Sequence, residues 1–214
     1  MNILNRVIGV LMLLCILCSF GALVLGHTQS TPMTRLLAAM RTTPDGAVCP
    51  SPCAFGLMPG ITPFYDSEKL IAAHPALHVL NLVSQNVQAR FPYLIVHLKE
   101  NLSLIVYGDA DGTVVTEVAL VIQPPAVLLR DALAVFASPR LAAHFANFSI
   151  HNYWINLGYP SGQIIIQGNL GYLEPLKASM PVSDIVVIHE SGSMLYQASR
   201  WRGFAPYPVI AVGP

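Results

Sequence analysis

Residues 93–122 read YLIVHLKENLSLIVYGDADGTVVTEVALVI, three runs of aliphatic and β-branched residues parted by turn formers. Tyr93–Lys99, Ser103–Tyr107 and Thr113–Ile122 suit a pleated, half-buried surface, and Asp111-Gly112 is the residue pair a tight hairpin favours. The stretch predicts a small antiparallel meander. Upstream, Thr62 offers a helix cap and Pro63 fits the first helical position, where its missing N–H costs nothing. Phe64, Leu70 and Ile71 share one face of the predicted helix, and His74-Pro75 stops it.

The same order recurs downstream. Pro124-Pro125 precedes VLLRDALAVFAS, in which Leu128, Leu129, Ala132, Leu133, Val135 and Phe136 return at helical spacing before Ser138-Pro139. Tyr153–Leu157 (YWINL), the turn Tyr159-Pro160-Ser161-Gly162, Gln163–Gln167 (QIIIQ) and Asp184–His189 (DIVVIH) then read as strands and a turn. The helix ends echo each other as Ala73-His74-Pro75-Ala76-Leu77 and Ala137-Ser138-Pro139-Arg140-Leu141, an A-x-P-x-L repeat. The expected fold class is α+β: two related modules, residues 49–123 and 124–190, each a helix on an antiparallel meander. Residues 191–214 form a tail rich in aromatic residues and proline.

Charge and hydropathy place the chain. Only 10% of its 214 residues are charged and 54% are hydrophobic, with a formal net charge of zero, against about 25% charged in ordinary soluble domains. The eleven Lys and Arg are scattered, with no closer group than Arg200 and Arg202, so nucleic acid is not an expected partner. Val7–Gly26 (VIGVLMLLCILCSFGALVLG) carries no charge and matches the thickness of a hydrocarbon core. Arg6 is the only charge before it and the next basic residue is Arg35, so the positive-inside rule leaves residues 1–6 in the cytoplasm. The expectation is a single-pass cell-membrane protein, with residues 7–26 in the lipid bilayer and the bulk of the chain outside. A cleaved signal peptide ending near Val24-Leu25-Gly26 is the other reading, and it leaves residues 27–214 equally extracytoplasmic. Residues 27–48 read as a linker with a turn or two of helix around Met33–Met40.

Cys49-Pro50-Ser51-Pro52-Cys53 predicts a short disulfide across a proline-rich turn in an oxidising compartment. Zinc would need two more ligands at metal spacing, and thioredoxin chemistry a two-residue spacer, and the sequence has neither. Free thiols are the remaining alternative.

Cys53-Ala54-Phe55-Gly56-Leu57-Met58-Pro59-Gly60-Ile61-Thr62, with the proline-flanked cysteine pair before it and a helix and His74-Pro75 after it, resembles a motif of bacterial membrane-anchored envelope proteins. The second helix with Ala137-Ser138-Pro139 and Gly158-Tyr159-Pro160-Ser161-Gly162 resembles their other module, so the likeness covers roughly residues 49–190. More distantly, the pattern is similar to the helix-and-strand modules of outer-membrane assembly lipoproteins and β-lactamase-inhibitor proteins. This chain departs from those in having His74 and Ser138 where a glycine precedes the proline. The distant resemblance implies a binding or assembly module rather than an enzyme, and the closer one brings no activity with it; another envelope protein is the expected partner.

The residues themselves support no catalytic assignment, and no cofactor or metal is expected. The seven histidines (His27, His74, His78, His97, His144, His151, His189) include no H-E-x-x-H, and Pro75 separates His74 from His78. Asp109-Ala110-Asp111-Gly112 begins like a calcium loop, but its twelfth position is Leu120, and a hairpin turn accounts for the same residues. His189-Glu190-Ser191 are neighbours in sequence, which along a strand sends them to opposite faces. In the tail, Arg200, Trp201, Arg202, Phe204 and Tyr207 form a basic and aromatic group suited to a membrane surface or a partner. The expected function is a membrane-anchored extracytoplasmic binding or structural envelope protein. The alternative is an extracytoplasmic hydrolase whose residues converge only in space, for which His97, Glu117 and His151 are the candidates.

Overall fold

A computed structural model describes residues 31–50, 52–85, 91–99, 101–123, 127–136, 138–147, 152–159, 164–169, 174–189, 198–204, 206–207 and 209–211. The expected anchor at residues 7–26 lies outside these, and among the described residues no helix is long and apolar enough to cross a membrane. Residues 33–214 form one unit and residues 1–32 another.

The larger unit is built on strands. In chain order they are β1 Val79–Gln85, β2 Tyr93–Leu98, β3 Leu102–Gly108, β4 Val115–Ile122, β5 Leu141–Asn147, β6 Asn152–Gly158, β7 Ile164–Asn169, β8 Val182–Ile188, β9 Ser199–Arg200 and β10 Val209–Ala211. Three short helices accompany them among the described residues: α1 Pro32–Ala39, α2 Ser67–Ala73 and α3 Leu129–Phe136. All ten strands belong to one sheet, in the order β1-β2-β3-β4-β8-β7-β6-β5-β10, with β9 also on β5. Every pairing is antiparallel except β5 with β10.

This corrects the expected α+β fold of two small modules. The two meanders do occur, β1–β4 and β5–β8, but their last strands pair with each other from Glu117↔Ile188 to Val121↔Asp184. Among the described residues the fold is therefore mostly one antiparallel sheet with few helical residues. The reason lies in the last strands themselves. β2 and β3 alternate buried and half-exposed residues, as one-sided strands do. β4 buries Val118, Ala119 and Leu120 in succession, and β8 buries Ile185–Ile188. Strands apolar on both faces are stable in the middle of a sheet, and a separate module would leave each of them at an edge.

The main core lies on one face. Val96 of β2, Leu104 of β3, Leu120 of β4, Ile185 of β8, Ile166 of β7 and Ile155 of β6 project into it. α2 covers it with Ile71 and α3 with Leu129, Ala132 and Phe136. Within the expected linker, Met33, Leu37 and Met40 enter the same core at i, i+4 and i+7, one stripe of α1 and the turn after it. Buried side chains of this kind each contribute about 1.5–3 kcal/mol. Helix α2 starts otherwise than predicted. Pro63 is extended, Phe64–Asp66 make a 3₁₀ turn, and Thr62 Oγ1 instead accepts the Met58 N–H at 2.8 Å. His74 ends α2 in extended backbone, as the proline after it requires.

A chain truncated after Gln123 exposes both the edge of β4 and the core face it shares with β8. Urea unfolding followed by circular dichroism should show one cooperative transition for the full chain and none for the truncation.

Candidate functional site

The disulfide region links the segment that follows α1 to the end of α2. Cys49 and Cys53 are bonded, with Cα atoms 6.1 Å apart, and both are buried. Thr42 and Val48 bridge the strand entering it, and the Cys49 N–H donates to the Arg41 carbonyl at 3.0 Å. Beyond Cys53 the chain reverses in two residues. Phe55 and Gly56 both have positive φ, +54° and +83°, while Ala54 and Leu57 exchange backbone hydrogen bonds of 2.9 Å, the pattern of a primed hairpin turn. A Cβ at Gly56 would press on Pro44, so this position requires glycine.

Phe55 holds that unusual backbone because its ring is wholly buried, edge-on to His74 at 5.3 Å. His74 Nδ1 accepts the Ala76 N–H at 3.3 Å, which leaves Nε2 to donate to the Thr42 carbonyl, also at 3.3 Å. Burial holds this imidazole below its ordinary pKa, only partly offset by the bond to Thr42. His74 is thus a neutral structural crosslink.

The tail residues are folded against the sheet. The Trp201 N–H donates to the Arg140 carbonyl, and its ring is stacked with Tyr207 and edge-on to Phe204, both at 6.1 Å. The Tyr207 hydroxyl accepts the Arg202 N–H at 2.7 Å and donates to the Gly203 carbonyl at 3.0 Å. The Arg202 guanidinium lies 5.4 Å from the centre of the Tyr207 ring and donates to the Pro206 carbonyl. Arg200, Arg202 and Phe204 remain exposed, whereas Tyr207 is buried.

The face opposite the core carries three rows set by strand register. The first runs Tyr93, Tyr107, Glu117, Ile188; the second Ile95, Ile105, Ala119, Val186, Ile165; the third His97, Ser103, Val121, Asp184, Gln167, Asn156. The middle row is apolar throughout. Ile165 is fully buried, with Leu141 and Ala198 packed near it, while Ile95 and Ile105 at the other end are half-exposed. A solvated sheet face would be polar, so the half-exposed part, on β2–β4, is the candidate contact surface. Burial pushes the Glu117 and Asp184 carboxyls above their usual range. It also raises the Tyr107 phenol, with help from the negative charges of Glu117 and Asp184.

Of the residues named for a hydrolase, the two that are described do not converge. His97 and Glu117 stand in different rows, two strands and four residues apart, roughly 16 Å at standard strand spacing and rise. His151, Glu190 and Ser191 lie outside the described residues. Asp109 accepts hydrogen bonds from the Thr113 N–H and hydroxyl, both at 2.6 Å, and from the Val114 N–H, closing the hairpin with its own carboxylate. Among the described residues no group of three or more His, Cys, Asp or Glu is placed to hold a metal.

Asp184, Gln167 and Asn156 were not singled out by sequence. Their period-2 placement in strands was the available signal, but register alone assembles them into a row. Comparison with family models, curated proteins and solved structures returns no match to this chain.

Two measurements follow. Cys53→Ser opens a five-residue loop and should cost about 2 kcal/mol in urea unfolding; an unchanged midpoint would show the bond to be structurally idle. For Glu117 the folded pKa lies above the unfolded one, so its ionised form opposes folding at neutral pH and this penalty fades as pH falls. Glu117→Gln should raise the urea midpoint at pH 7.5, with the difference closing near pH 4.

Proposed function

We propose that this protein is an extracytoplasmic binding or structural component of the cell envelope. Residues 7–26 hold it to the membrane, and the outer sheet face on β2–β4 meets its partner. The observation that carries the reading is the Cys49–Cys53 bond, a disulfide between two buried cysteines four residues apart, because structural disulfides persist in oxidising compartments outside the cytoplasm. The uncharged run from Val7 to Gly26 supports the same address. So does the resemblance of Cys53–Thr62 to the motif of membrane-anchored envelope proteins.

Binding is favoured over hydrolysis by the distribution of side chains. Tyr93, Ile95, Ile105 and Tyr107 form a half-exposed apolar and aromatic patch on rigid strands, bordered by Glu117. Such patches suit protein contacts, in which tyrosine supplies area at small entropic cost.

The test is membrane fractionation of the full chain with a C-terminal tag, combined with external protease and thiol alkylation in intact cells or spheroplasts. The expected species is carbonate-resistant, loses its tag to external protease, and has Cys49 and Cys53 blocked to alkylation until reduced. A tagged protein in the cytosolic fraction with both thiols reactive would overturn the reading.

A further inference from the structure

We propose that the C-terminal segment spanning β9 and β10 is a strap that acid releases from the edge of the sheet, with His144 as its latch. The strap pairs with β5 over short stretches. β9 pairs two residues with Leu141 and Ala142, and β10 pairs three in parallel, Val209 falling opposite His144. The Trp201 N–H bond to the Arg140 carbonyl adds one more tie. The stacking of Arg202, Tyr207 and Trp201 and the hydroxyl bonds of Tyr207 lie within the strap, while Tyr207 also joins the main core and Trp201 packs against it, so release must withdraw this apolar anchor as well.

His144 sits at the centre of this seam and is 2% exposed. It bonds to the backbone of Tyr207, and among the described residues its Nε2 has no partner. A second proton would fall on that Nε2, creating a buried imidazolium with nothing to accept its new N–H. Among the described residues, the elements around the ring supply no counter-charge. Its cross-strand neighbour on β6 is Ile155, neither β6 nor β10 carries a charged residue, and the nearby cations Arg140, Arg200 and Arg202 are all exposed. Burial holds this imidazole below its ordinary pKa, and the bond to the Tyr207 backbone opposes the shift.

Lifting the strap would expose the ring to water, where the imidazolium is at ease. Below the ordinary histidine value of about 6.5 the ratio of open to closed strap should therefore rise up to about tenfold per pH unit, until the closed form itself takes the proton. His74, the other buried imidazole among the described residues, ties α2 to the Thr42 carbonyl and provides the control.

The experiment uses the full chain in detergent with Trp154→Phe, which leaves Trp201 as the single tryptophan. Trp201 emission and amide exchange of residues 199–211, corrected for intrinsic rate, are followed from pH 7.5 to 5. The expected result is a red shift and faster exchange across the strap while β3 and β4 stay protected. His144→Asn, whose amide can still donate to Tyr207 but cannot titrate, should abolish the transition, and His74→Asn should keep it. A strap that stays protected at pH 5, or the same transition in His144→Asn, would overturn the proposal. Should His144→Asn fail to fold at pH 7.5, imidazole NMR of the unsubstituted histidine decides: titration in step with Trp201 supports the latch, and titration without it refutes it.

Discussion

Five residue pairs between β4 and β8, Glu117–Val121 against Ile188–Asp184, hold the two meanders in one sheet. Leu120 and Ile185 meet on the core face of this seam, and Ala119 and Val186 on the other. Each strand supplies what the other lacks: a partner for its backbone groups and cover for a second apolar face. With the seam in place, one core extends beneath both halves, and α1, α2 and α3 each find a place on it.

The seam also fixes the character of the outer face. Because side chains alternate with period two, the register across β3, β4 and β8 decides whether Tyr107, Glu117 and Asp184 face outward or into the core, and a slip of one residue would exchange the faces. The partial burial that makes this surface apolar raises the Glu117 and Asp184 carboxyls. At the flanks, burial likewise lowers the pKa of the His74 and His144 imidazoles. Burial shifts all four groups toward their neutral forms, for the same dielectric reason.

Local features were legible in the sequence. The runs at Tyr93–Ile122 became β2, β3 and β4, His74-Pro75 ended α2, and the cysteine pair became a disulfide. β5 was passed over because LAAHFAN is rich in alanine, a weak strand former whose small side chains fit the seam beneath the strap. β1 had only a short apolar stretch between polar residues to announce it. The largest departure, one sheet in place of two modules, follows from a pairing between residues more than sixty positions apart, which no local pattern encodes. The continuous apolar runs VALVI and IVVI were its trace, since they are too apolar for one-sided strands. The outer face escaped for the same reason: Tyr107, Glu117, Asp184 and Asn156 are unremarkable until register aligns them.

Native-state hydrogen exchange across a urea series tests the single sheet most directly. The amides of β3 and β4 and those of β7 and β8 should merge into one global opening, with the same free energy and the same urea dependence. Two separate classes of opening, dividing the strands before Gln123 from those after it, would contradict the account and restore two independent modules.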